Sequence, residues 1–239
     1  MTDSPRYAIY YAPAPRSELG RFGAHLLGYD AFSHKTLRFP VDIEQALPDW
    51  GELTQDPRKY GFHATLKAPM VLADGKSEAE LLAACETFAQ TSRPIPAIVP
   101  VVNAIGDFIA IVPSQPSAEL QELAADAVRY FDSFRAPLTA EDRARRNPDR
   151  LPPRQREYLE RWGYHYVMEE FRFHMTLTGR LPVERRETVL AILRQRFAAL
   201  DMNSLAVDRL ALFKQSDSSS RFQIVQHYNL TRAQDRVQA

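Results

Sequence analysis

The chain has almost no cysteine, no net charge and no long apolar run. Its single cysteine, Cys85, excludes an internal disulfide and any cysteine-cluster metal site. It falls in the apolar helical pattern Leu81, Leu82, Cys85, Phe88, where a small buried residue is expected. Thirty basic and thirty acidic residues cancel to a formal net charge of zero. A protein that tracks long nucleic acid by charge is usually more basic. The expected ligand is therefore a small or terminal anion held by local charge. No apolar stretch approaches the roughly 18 residues that cross a bilayer, so no membrane partner is expected. The opening MTDSPRYAIYYAP lacks the basic start and long apolar stretch of a secretion signal, which makes the cytoplasm the expected compartment. The remaining composition, 45% hydrophobic and 25% charged over 239 residues, is that of a soluble globular protein with a sizeable core.

Strand and helix signals alternate along the chain. Tyr7 to Tyr11 predicts a first strand, ended by Pro13 and Pro15, and residues 16 to 30 a helix closing near Gly28. Residues 35 to 60 carry few periodic signals and read mainly as loop. Phe62 to Val71 predicts a strand, and Ser77 with Glu80 a capping box that opens a helix to about Gln90. The apolar runs Ile95 to Val102 and Phe108 to Val112 flank Ile105-Gly106-Asp107 and predict a hairpin. Pro96 and Pro100 place its first strand at a sheet edge. A helix over about 117 to 133 follows.

Residues 136 to 166 break this rhythm with Pro137, Pro148, Pro152 and Pro153, and Glu141 to Arg161 holds seven arginines against five acids. That segment reads as a helical insertion, or as a lid that carries an arginine over an anionic ligand. The earlier order then returns: a strand over Phe171 to Gly179, a helix from Pro182 to about Leu200, and strands over Leu205 to Phe213 and Phe222 to Leu230. Strand, helix, strand, turn, strand thus occurs twice, which is an internal duplication.

Each repeat begins on the same motif, Phe62-His63-Ala64-Thr65-Leu66 and Phe173-His174-Met175-Thr176-Leu177. Given one copy, a second histidine with the same Phe, Thr and Leu neighbours has a chance of about three in ten thousand at average residue usage. Packing would preserve Phe and Leu, but it gives no reason to preserve His and Thr. Alternation along a strand puts Phe62, Ala64 and Leu66 on one face and His63, Thr65 and Lys67 on the other. In the second copy Arg172, His174 and Thr176 share the polar face. Two such rows supply paired imidazoles for acid-base chemistry and hydroxyls for the oxygens of a phosphate. No His-x-His pair or His-Glu-x-x-His helix is present, and the nearby carboxylates lack ligand spacing, so neither metal nor other cofactor is expected.

At these residues the sequence resembles the two-histidine phosphoesterase superfamily, whose members carry two His-x-Thr/Ser motifs in a duplicated bilobal α+β fold. The resemblance implies two pseudo-symmetric antiparallel sheets with outer helices and a central cleft, as one unit over residues 1–239. It implies His63 and His174 as the acid-base pair and Thr65 and Thr176 as phosphate ligands. The segments RYAIYYAP, YGFHATLKAP, YHYVMEEFRFHMTLTGRL and DRLALFKQ resemble a bacterial branch associated with phosphonate-utilisation operons. That branch implies a small ribose cyclic phosphate with a second phosphate, met by Lys67, Arg172 and an arginine of the insertion. Tyr7 and Tyr60 are further candidates to touch the ligand, and His165 reads as a packing histidine. Two other functions fit the same motifs: processing of RNA ends by cyclic-phosphate hydrolysis or ligation, and binding of a nucleotide or phosphosugar without turnover.

Overall fold

Ser17 and Ser77 begin helices by accepting hydrogen bonds from the free amides of the first turn. The first helix, α1 (Glu18–Leu27), stops where Gly28 takes a left-handed conformation. The second, α2 (Glu78–Gln90), carries the full capping box of Ser77 and Glu80 and buries Cys85 completely. Three further helices of ten residues or more follow: α3 (Ala118–Phe131), α4 (Pro153–Trp162) and α5 (Val183–Ala198). The computed structural model of the chain describes residues 4–233; the ends of the expected unit, 1–3 and 234–239, lie outside the described residues. Among them no helix is long and apolar enough to cross a membrane.

The strands of the main sheet are β1 (Arg6–Tyr11), β2 (Ala64–Met70), β3 (Pro100–Ile105), β4 (Phe108–Pro113), β5 (Met175–Thr176), β6 (Arg209–Gln215) and β7 (Gln223–Asn229). They lie in the order β7-β6-β1-β2-β5-β4-β3, with every neighbouring pair antiparallel. The proline-bearing strand β3 is at an edge, where a missing amide donor costs nothing. The fold is α+β and bilobal, as expected, and the two lobes exchange parts. The first repeat runs β2, α2, β3, β4 and the second β5, α5, β6, β7. The second repeat's hairpin joins β1 and β2, whereas the first repeat's hairpin joins β5. Helices follow the same exchange: α2 packs on β6 and β7, α5 on β3 and β4, and α3 on β2. The two half-sheets meet at one residue pair, Ala64 opposite Met175.

Two segments differ from expectation. Residues 35 to 60 form short helical turns at Val41–Ala46, Trp50–Leu53 and Gln55–Arg58. These are too short to show a period and are held by tertiary bonds. Trp50 donates its indole N–H to the Leu26 carbonyl at 2.8 Å, and Arg58 donates to the carbonyls of Leu27 and Gly51 at 2.7 and 2.8 Å. The second motif strand shrinks from 171–179 to Met175–Thr176. The hydroxyl of buried Thr178 accepts from the Ile109 amide at 3.0 Å, so a side chain replaces the next ladder bond and ends the strand.

Candidate active site

Both motif histidines sit one residue before their strands, on opposite sides of the seam between the half-sheets. An antiparallel register through Ala64 and Met175 sets Thr65 across from His174 and His63 across from Thr176. The two imidazoles and two hydroxyls therefore form the corners of a quadrilateral, with a pseudo-two-fold axis through its centre.

The rings are anchored identically. His63 donates from Nδ1 to the Gly61 carbonyl at 2.8 Å, and His174 from Nδ1 to the Arg172 carbonyl at 2.7 Å. A carbonyl only accepts, so Nδ1 carries the proton in both rings and Nε2 is left for the site. Gly61 bends back under His63 at φ +74°, and a Cβ there would stand 2.8 Å from that of Ala31. Phe62 turns the other way and lies flat on Gly23 of α1, where a Cβ would fall 2.0 Å from the ring. This fixes the packing half of the motif.

The two histidines differ in their surroundings. Tyr10 stacks on His63 with ring centres 3.8 Å apart and planes 20° apart, and Phe213 and Tyr60 complete the cage at 5.9 and 6.1 Å. His174 has Phe108 at 5.7 Å. Burial pushes the His63 imidazole down to about 4, helped by the nearby His174 and opposed by the bond to Gly61. Burial also lowers His174, against the bond to Arg172. The hydroxyl oxygen of Thr65 lies 3.5 Å from His63 Nε2.

A cavity of about 360 Å³ reaches two corners of this quadrilateral, Thr65 and His174, and is walled also by Arg172 and Phe108 and by Gln155, Tyr164 and Tyr166 of the insertion. The exposed Arg172 lines this cavity, and the half-buried Tyr60 lies beside His63. Among the described residues no group of three His, Cys, Asp or Glu side chains is placed to hold a metal ion.

Two sequence candidates are turned away. Opposite β1, Tyr10 pairs with Thr65 but Ile9 pairs with Lys67, so β2 has one extra residue at this step, and a second shift follows before Met70 opposite Tyr7. This β-bulge reverses the alternation and aims Lys67 at α3, away from the histidines. Its ammonium, 2% exposed, donates to Asp132 at 2.7 Å and to the Val128 carbonyl at 3.2 Å. Tyr7 packs in the helix-covered core with Ile9 and Tyr11 and donates its hydroxyl to Glu78 at 2.7 Å, where Lys214 also donates at 2.6 Å. Tyr10 is the aromatic residue of β1 that reaches the site, and its place on the opposite strand face was the available signal. His165 lies buried against Tyr166, with ring centres 4.1 Å apart.

This placement carries a prediction. Asp132→Ala strands a buried ammonium and should lower stability by about 3 kcal/mol in urea titration, with substrate KM unchanged. A raised KM at unchanged stability would return Lys67 to the ligand.

Residues 65–223 match the model of a family described as a protein of unknown function, DUF1045. The chain belongs to that family. It is 36% identical over 223 residues to the ribose 1,5-bisphosphate phosphokinase PhnN of Janthinobacterium sp. (strain Marseille), covering 91% of this chain and 49% of that protein. It is 32% identical over 221 residues to the protein of the same name in Laribacter hongkongensis (strain HLHK9), covering 92% and 50%. The chain therefore spans about half the length of the curated relatives it matches. A crystal structure of E. coli LigT complexed with NADP+ aligns with 97% of this chain and 100% of its own, at 12% identity and a TM-score of 0.41.

Proposed function

We propose that the chain is a metal-independent phosphoesterase of the two-histidine type, which opens a small cyclic phosphodiester to a phosphomonoester. The observation that carries this reading is the pair of identically anchored imidazoles on facing strands, each held through Nδ1 with Nε2 left for the site. Water attacks phosphorus as His63 Nε2 removes its proton. The ring P–O bond breaks, and His174 Nε2–H protonates the departing oxygen. The role of base goes to His63 because its stronger burial keeps it neutral down to about 4. Thr65 and Thr176 donate to the non-bridging oxygens, where charge builds up. Gln155, Tyr164 and Tyr166 make the insertion a lid that excludes water from this step.

The curated relatives are named for a ribose that bears phosphates, which supports a ribose cyclic phosphate as substrate and a place in phosphonate metabolism. Their kinase activity is not carried over. A phosphate-cradling loop needs glycine five residues before its Gly-Lys-Ser. Here Gly75-Lys76-Ser77 has Met70 at that position, and Ser77 is occupied in capping α2.

Phosphorus NMR with ribose 1,2-cyclic phosphate 5-phosphate tests the substrate, and nucleoside 2′,3′-cyclic phosphates serve as competitors. Conversion to a monoester that survives exhaustive EDTA treatment is the expected result. Turnover confined to the nucleoside compounds would move the reading to RNA ends. Activity abolished by EDTA and restored by zinc would end the metal-independent mechanism.

A further inference from the structure

A second cavity, of about 310 Å³, adjoins the catalytic one. Pro69 and Gly163 line it, whereas their chain neighbours Ala68 and Tyr164 line the catalytic cavity. Its walls hold four arginines and one acid, Asp142. Two of the arginines are already engaged. Arg135 donates to Asp132 at 2.9 Å and to the Ala136 and Arg161 carbonyls at 3.3 and 3.1 Å, and Arg145 pairs with Asp142. The other two, Arg6 and Arg146, have no carboxylate within 4 Å among the described residues. Arg6 donates both Nε, at 2.8 Å, and Nη2 to the neutral amide oxygen of Gln215, which leaves its Nη1 edge for an anion, and Arg146 lies 5.1 Å over the ring of Tyr164.

Both are linked to the histidine site through aromatic rings. Arg6 shares the strand face of Ala8 and Tyr10 and stands 5.5 Å over Phe222, whose ring stacks on Tyr60. Tyr10 in turn stacks on His63. Tyr164, under Arg146, is a wall of the catalytic cavity. Both guanidinium charges reach the Tyr10 hydroxyl, where they oppose the effect of its burial. Two half-buried guanidiniums without a carboxylate partner, Arg146 one tyrosine ring from the phosphodiester site and Arg6 behind Phe222 and Tyr60, suit a phosphate that accepts from both.

We infer that Arg6 and Arg146 form a second anion subsite, which takes a phosphomonoester on the same molecule whose cyclic phosphate lies at the histidines. This rests on the phosphoesterase reading and narrows it to pentose or nucleotide substrates that carry a distal phosphate. The insertion then has a reason to close, because Arg146 arrives with it and recognises the far end of the substrate.

Calorimetric titration with ribose 1-phosphate and ribose 1,5-bisphosphate, which differ only in the distal phosphate, tests it without turnover. The bisphosphate should bind about 30-fold more tightly, the scale of charge-assisted hydrogen bonds from two arginines. Arg146→Ala and Arg6→Gln should each remove most of that advantage, and Arg146→Lys should keep part of it. Arg143→Ala, which removes a charge paired with Glu160 outside the cavity, should keep all of it. Thermal melts show whether each variant is folded, and Arg146→Lys preserves the test should Arg6→Gln not fold. Equal affinity of the wild-type protein for both sugars, or an advantage untouched by the Arg146 variants, would overturn the subsite. A clear preference without opening of any cyclic phosphate would leave the subsite standing and remove the phosphoesterase reading. Opening of cyclic phosphates with equal affinity for the two sugars would do the reverse.

Discussion

Alanine at His63 or at His174 should lower turnover of the cyclic substrate by about 100-fold or more, the scale of losing a proton-transfer partner. Both imidazoles are locked through Nδ1, so neither ring can turn to replace the other. Each role is also needed in the same bond-breaking event, because one proton leaves water as another reaches the departing oxygen. The double variant should therefore lose little beyond the worse single one. His63→Ala also empties the space beneath Tyr10, so kcat must be read beside a thermal melt. His63→Gln keeps much of the volume and should lose nearly as much rate. Losses that simply multiply would mean two independent contributions, and a loss below about fivefold in either single variant would remove that histidine from the chemistry.

The motif pair was legible because strand chemistry is local. Phe62 and Phe173 are buried while His63 and His174 stay half-open, as alternation requires. Ser77 with Glu80, Ser17 and Gly28 set helix ends through bonds within a few residues. What escaped depends on partners distant in the chain. Lys67 was misplaced because a bulge belongs to a pair of strands, and β2 alone carries no mark of the residue it has in excess of β1. Tyr7 and Tyr10 look alike as sequence. They are separated only when the lobes assemble and Tyr10 meets His63 while Tyr7 meets Glu78.

The duplication was visible, but its consequence for the sheet was not. Equal order in the two repeats suggests two self-contained lobes, and nothing in either repeat says that its hairpin completes the other. The exchange has a physical logic: it puts both histidine strands at the centre of one sheet. There a single pair of residues fixes their separation. The aromatic and arginine residues of the insertion were legible only as composition, because Gln155, Tyr164 and Tyr166 take their role from the cavity they wall.

The pH profile should tell the two histidines apart. In the free protein both imidazoles titrate below their ordinary value of 6.5, His63 at about 4. Catalysis needs His63 neutral and His174 protonated. Activity as kcat/KM, which reports the free enzyme, should then rise as pH falls through the His174 value. It should peak on the acid side of 6.5 and decline again only toward 4. Above the peak the fall should approach about tenfold for each pH unit, since each unit removes nine-tenths of the remaining imidazolium. Binding places a phosphodiester anion between the rings and favours their charged forms, so the kcat profile should lie at higher pH than that of kcat/KM. Tyr10→Ser gives a second handle. It opens the stack that keeps water from His63, raises that imidazole toward 6.5, and should carry the acid limb upward while the alkaline limb stays in place. A kcat/KM optimum above pH 7.5, or an acid limb indifferent to Tyr10→Ser, would sink the assignment of His63 as the base.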